Sequence, residues 1–168
     1  MLTNRHVVAG EDGTKQALDV ALKFADSPQT FGGRVLTVSP DADLAVIRVK
    51  NLSGQVPTVC RLSEQPDPVQ PGDPVATIGF PLGVDLPMLR QGDRTITKAT
   101  FTAGTVSKVL PDQIQIDGYG ATGASGSPYF DGKGEVVGVL HAGEPGTNGR
   151  VVYAVPASYA AKLLQAVN

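Results

Sequence analysis

The chain has a single cysteine, Cys60, so no disulfide can close within it and a disulfide-stapled secreted scaffold is excluded. Cys60 itself reads as a small buried apolar residue rather than a reactive thiol. No apolar run approaches the roughly 20 residues of a membrane-spanning helix. No secretory signal pattern stands at Met1, and no internal repeat is present. Charge is scarce: 18% of residues are charged, and the net charge is −2 at pH 7. Nucleic-acid binders carry a basic face, and nothing in this composition indicates one. There are two histidines, His6 and His141, and no Cys/His cluster with metal-ligand spacing. Neither a metal nor a cofactor is therefore expected.

Turn-forming residues, by contrast, are abundant. Glycine occurs 20 times and proline 13 times in 168 residues, without low complexity, which favours many short strands over a helical bundle. A chain of this length fits one domain or two small subdomains, and hides roughly 70% of its unfolded surface on folding. Strands are predicted over Phe31–Ser39, Leu44–Val49, Val75–Phe80, Thr102–Val109 and Gln113–Asp117. Tyr129-Phe130 and Glu135–Leu140 flank Asp131-Gly132-Lys133-Gly134, a hairpin signal, and Val151–Val155 is a last strand. Arg61–Pro74 holds four prolines and reads as a linker. Gly83–Thr100 is polar and reads as an irregular surface loop. From Pro156 to Val167, Tyr159, Leu163 and Val167 recur every four residues beside Ala160 and Leu164, predicting a helix with one stripe on a core. The expectation is an all-β chain: residues 1–60 a first half, 61–74 the linker, 75–155 a second barrel, 156–168 a closing helix.

Three motifs carry chemistry. Gly123-Ala124-Ser125-Gly126-Ser127-Pro128 brackets a serine with small residues, which lets the backbone turn tightly and approach a substrate. A serine hydroxyl is a weak nucleophile until a base takes its proton. Thr3-Asn4-Arg5-His6-Val7-Val8 supplies a candidate base, and Asp41-Ala42-Asp43-Leu44-Ala45-Val46 a candidate acid. Each has a plain alternative: a flexible turn, a packed core histidine, a strand-opening aspartate. Asp43 is preferred over Asp41 because it abuts the apolar strand, where a carboxylate can be buried against imidazole; Asp41 follows Pro40 as a turn residue. The order His, Asp, Ser is one of three in which the same nucleophile, base and orienting acid recur on unrelated folds. An esterase of the α/β-hydrolase type would place the serine first. Gly118-Tyr119-Gly120-Ala121-Thr122-Gly123 matches the dinucleotide fingerprint, but a proline and a hairpin follow instead of the required helix. Asn51-Leu52-Ser53 fits a glycosylation sequon and reads as incidental.

These motifs, in this order, resemble trypsin-like serine proteases of bacterial type. The stretch Phe31–Val49, Pro71-Gly72-Asp73, Ile78-Gly79-Phe80-Pro81-Leu82-Gly83 and Tyr153-Ala154-Val155-Pro156 are most similar to HtrA/Deg-type members. Ser127, where most members have glycine, resembles the bacterial glutamyl endopeptidases. The resemblance covers nearly all 168 residues. It implies two antiparallel six-stranded β-barrels, the first incomplete, with a C-terminal helix and a cleft between the barrels. It also implies a serine endopeptidase with His6, Asp43 and Ser125 as catalytic residues and the N–H groups of Gly123 and Ser125 as oxyanion hole. Peptides or unfolded proteins are the implied substrates, and a periplasmic or secreted setting follows from the resemblance alone.

The resemblance also implies that Tyr119, Gly120, Leu140, His141 and Ala142 wall the pocket for the residue before the scissile bond. Glutamyl-specific members place a histidine about one position before His141, and a hydroxyl where this chain has Gly120. Both departures favour a small or medium apolar side chain in that pocket. Other departures concern the whole chain. About two strands that precede the histidine in the family are missing here, so a segment upstream of Met1 is expected. The PDZ module that many HtrA-type members carry is not expected within these 168 residues. Ala124 replaces the acid that receives a freed N-terminus in digestive relatives, so that activation switch is not expected. The alternative from another class is a non-catalytic, protease-like peptide-binding domain or an inactive fragment.

Overall fold

The strand signals resolve into two main sheets, one open and one closed. The computed structural model describes residues 1–9, 17–54, 56–59, 61–65, 68–83 and 88–167. Cys60 lies outside the described residues. The first sheet holds β1 (Leu2–Thr3), β2 (Asp19–Lys23), β3 (Thr30–Val38) and β4 (Ala45–Val49), in the order β1-β4-β3-β2. A single helical turn, α1 (Arg5–Val8), follows β1. Along β3 buried and outward residues alternate, with Phe31 and Val35 turned inward onto Leu22, Ala45, Ile47 and Val8.

The second sheet is a closed six-stranded barrel. It comprises β5 (Pro74–Gly79), β8 (Thr100–Leu110), β9 (Gln113–Asp117), β10 (Pro128–Phe130), β11 (Val136–Gly143) and β12 (Val151–Pro156), in the order β10-β11-β12-β9-β8-β5. Closure pairs every strand on both sides and leaves no long free edge. Its core is Val75, Val106, Ile114, Ile116, Tyr129, Val137, Leu140, Val152 and Ala154. The helix α2 (Ala157–Gln165) closes the chain. A third cluster, Leu44, Val46, Val139, Val155, Ala160 and Leu163, joins the open sheet, the barrel and α2. A closed barrel, an open half-barrel sheet and a terminal helix are the architecture expected from the sequence.

Two expectations need correction, and a third gains detail. Gly83–Thr100 is not irregular throughout: β6 (Leu89–Gln91) and β7 (Arg94–Ile96) form a hairpin there. The histidine is not without a preceding strand, because β1 pairs Leu2 with Val46 and Thr3 with Ala45. The proline-rich stretch, expected as a linker, also makes contacts with the barrel. Leu62 bridges Val136, and Val69 is buried in the barrel core.

Candidate active site

The candidate base stands on α1, a single turn. Asn4 precedes it with extended backbone, φ −82° and ψ 152°, in a position where asparagine usually caps the helix. Here the side chain makes no cap. Its Nδ2 donates across the molecule to the Asp43 carbonyl at 2.8 Å, with Asn4 fully buried. The turn holding His6 is thereby tied to the turn holding Asp43. That second turn folds around Ser39. The Ser39 hydroxyl accepts the N–H groups of Asp41 (3.3 Å) and Ala42 (3.2 Å), and the Ser39 N–H donates to the Leu44 carbonyl at 2.8 Å. Arg5 Nη1 adds a bond to the Ser39 carbonyl at 3.2 Å.

These turns bring three sequence-selected residues into one line. The His6 backbone N–H donates to Asp43 Oδ1 at 2.9 Å, and His6 Nδ1 lies 2.6 Å from Asp43 Oδ2. His6 Nε2 lies 3.1 Å from Ser125 Oγ, across 119 residues of sequence. A carboxylate only accepts hydrogen bonds, so the ring proton belongs on Nδ1 and the Nε2 lone pair faces the hydroxyl. Asp41 is exposed and makes no side-chain bond to His6 among the described residues.

Ser125 stands on the turn between β9 and β10, flanked by Gly123 at φ 90° and Gly126 at φ 86°, left-handed conformations that glycine adopts without strain. A Cβ on Gly126 would lie 2.8 Å from Thr3 Oγ1, so this glycine also lets the serine turn seat against β1. Within the turn, the N–H groups of Ala124, Gly126 and Ser127 donate to the carbonyls of Ala121, Leu140 and Ala124. Those of Gly123 and Ser125 have no backbone acceptor among the described residues.

Beside the serine opens a cleft of about 670 Å³. Gly120, Leu140, His141 and Ala142 line it together with His6 and Ser125. A Cβ on Gly120 would lie 2.7 Å from Val152 Cγ1 and 3.5 Å from Leu140 Cδ1, so methyl groups back this wall. Tyr119 stands outside the lining, in a neighbouring hollow with Asp117 and Arg150. His141 faces Asp43, its Nδ1 4.0 Å from Oδ2. Burial holds its pKa below the usual histidine range; the Asp43 charge opposes that shift and a His6 cation adds to it. Asn4, Ser39 and Val152 were not selected from sequence. Asn4 alone carried a signal, a cap-type residue directly before the histidine turn. Among the described residues no group of three or more His, Cys, Asp or Glu side chains could hold a metal ion. Among the described residues no helix is long and apolar enough to cross a membrane.

Comparison with known proteins places this geometry in context. The family model of the trypsin-like peptidase domain matches residues 1–139. The chain is 31% identical to a probable periplasmic DegP-like serine endoprotease of Bartonella henselae, over 98% of its own length and 30% of that protein. It is 27% identical to the glutamyl endopeptidase of Staphylococcus epidermidis, over 85% of this chain and 50% of that one. The chain thus spans between 26% and 50% of the length of the curated relatives it matches. Among solved structures, the HtrA-type protease AlgW with a decapeptide superposes with a TM-score of 0.74 at 25% identity, covering 99% of this chain and 47% of that one.

Proposed function

The chain belongs to the family of trypsin-like peptidase domains, and we propose from that premise that it is a serine endopeptidase. The carrying observation is the unbroken line from Asp43 through His6 to Ser125, with contacts of 2.6 and 3.1 Å. In this reading Ser125 Oγ attacks the carbonyl carbon of a peptide bond while His6 Nε2 takes the hydroxyl proton. The tetrahedral adduct collapses with cleavage of the C–N bond, and His6 returns the proton to the leaving amine. The acyl group stays on Ser125 until water, activated by the same imidazole, releases it. Asp43 holds the tautomer and steadies the imidazolium. The N–H groups of Gly123 and Ser125, free of backbone acceptors among the described residues, are the donors for the oxyanion. No metal or cofactor enters this sequence of steps.

The substrates are peptides or unfolded proteins. The methyl groups of Val152 and Leu140 behind Gly120, with Ala142 beside them, favour a small or medium apolar side chain before the scissile bond. A peptide library varied at that position tests the reading. Cleavage after Ala, Val or Leu is expected, and Ser125→Ala should lower kcat/KM by several orders of magnitude. A preference for Glu that vanishes in His141→Ala would overturn the pocket assignment, and unchanged turnover by Ser125→Ala would overturn the mechanism.

A further inference from the structure

One carboxylate oxygen in this site faces two imidazoles. Asp43 Oδ2 lies 2.6 Å from His6 Nδ1 and 4.0 Å from His141 Nδ1. His141 stands where the pairing of β11 with β12 shifts register, between Leu140 and Ala142. Such irregularities re-aim a side chain beside a site. Its side chain is largely enclosed, 23% exposed, as is that of Asp43 at 22%. The charged groups facing it are Asp43, from the turn before β4, and His6, from α1. Glu144 follows the end of its strand, and its Oε2 is taken by the Tyr153 hydroxyl of β12 at 2.7 Å.

We propose that His141 is a positioning residue that competes with His6 for Asp43: neutral, it leaves the carboxylate to His6; protonated, it takes Oδ2 and disarms the site. This rests on the endopeptidase reading above. At 4.0 Å a neutral imidazole makes no hydrogen bond. A charge-assisted N–H to carboxylate bond settles near ~2.8 Å, so a protonated ring gains by closing the remaining gap. Oδ2 would then be shared, and a proton on His6 would face a second cation. A proton on His141 is therefore tied to the one carboxylate that both rings face. The active form needs both neutral. Well below the titration, the rate should then fall about 100-fold per pH unit, where one controlling histidine would give about 10-fold.

The chain's two histidines make the test direct. With 15N-labelled imidazoles, the titration of His141 is followed by NMR in the full chain. His6→Gln should raise its midpoint, because Asp43 is then its own; Asp43→Asn should lower it. A midpoint that neither substitution moves overturns the proposal. In parallel, the rate of a fluorophosphonate adduct at Ser125 is measured against pH. The parent chain should fall more steeply than 10-fold per pH unit in acid and His141→Gln about 10-fold. A purely structural role for His141 would lower the rate equally at every pH and leave the slope unchanged. The NMR arm needs no turnover. Coupled midpoints without any adduct support the shared carboxylate and sink the protease reading, whereas adducts with the same slope in both proteins sink the competition.

Discussion

At the scale of single residues, the proposed mechanism depends on which aspartate orients His6. Asp43→Asn should leave the fold intact but present an N–H where the ring needs an acceptor, and kcat should drop roughly 10⁴-fold. Asp41→Asn, at an exposed turn position, should change kcat less than about twofold. Steady-state kinetics on the two variants decides it, and a crippled Asp41 variant would reassign the acid. Asp43, His6 and Ser125 were legible because each sits in a short motif whose neighbours restrict its setting. Ser39 and Asn4 were not, since Ser39 bonds within the Asp43 turn without a local signal and the cap-type signal of Asn4 points to its own helix, not to the Asp43 carbonyl it bonds. A different residue is expected to shape stability in alkali. Tyr129 is buried, its hydroxyl has no partner among the described residues, and burial pushes its pKa up to about 12. The unfolded chain releases this proton near pH ~10, so folding stability contributed here is intact below that pH and is lost as pH rises through the folded value. Melting temperatures taken from pH 9 upward should therefore decline more steeply for the parent than for Tyr129→Phe. Parallel declines would show that this hydroxyl does not govern the alkaline limb.

At the scale of elements, what the sequence reveals depends on whether burial imposes a period. Gln113–Asp117 reads as alternation and is β9 with the same bounds. The Asp131-Gly132 signal lies between β10 and β11, and the terminal helix buries Ala157, Ala160, Ala161 and Leu163, close to the stripe expected from Tyr159, Leu163 and Val167. β1, α1, β2, β6 and β7 were not expected, and for two of them the burial pattern gives the reason. All three residues of β6 are exposed, so nothing periodic marks it. In β2 only Leu22 is buried, too little to signal a five-residue strand. The prolines of 61–74 masked the docking of Leu62 and Val69. Spatial contacts set a further requirement on β5. A Cβ on Gly79 would fall 2.0 Å from Ser127 Oγ and 2.8 Å from its Cβ, so the end of β5 must be bare for the serine turn to seat. Gly79→Ala should cost about 1–3 kcal/mol and lower kcat by displacing Ser125. Adding Ser127→Gly should recover much of both losses. Denaturant midpoints and kcat on the single and double variants check this; no recovery would mean that Gly79 acts through something other than Ser127.

At the scale of the whole molecule, the site is a product of how the two sheets meet. His6 and Asp43 come from the open sheet, Ser125 from the barrel, and the cluster of Leu44, Val46, Val139, Val155 and Leu163 holds them in one setting. Displacing a reacting group by ~1 Å can cost on the order of 100-fold in rate, so the proposed mechanism depends on this packing as much as on the three side chains. None of it is legible locally. The sequence names the parts by motif, but a contact spanning 119 residues is set by the fold alone. The most direct measurement is therefore the reaction of the chain with a fluorophosphonate, read by intact mass and by peptide mapping. One adduct per chain at Ser125 is predicted, absent in Ser125→Ala and at least 100-fold slower in Asp43→Asn. No adduct at all, or an adduct on another serine such as Ser127, would contradict the assignment and favour a non-catalytic peptide-binding role.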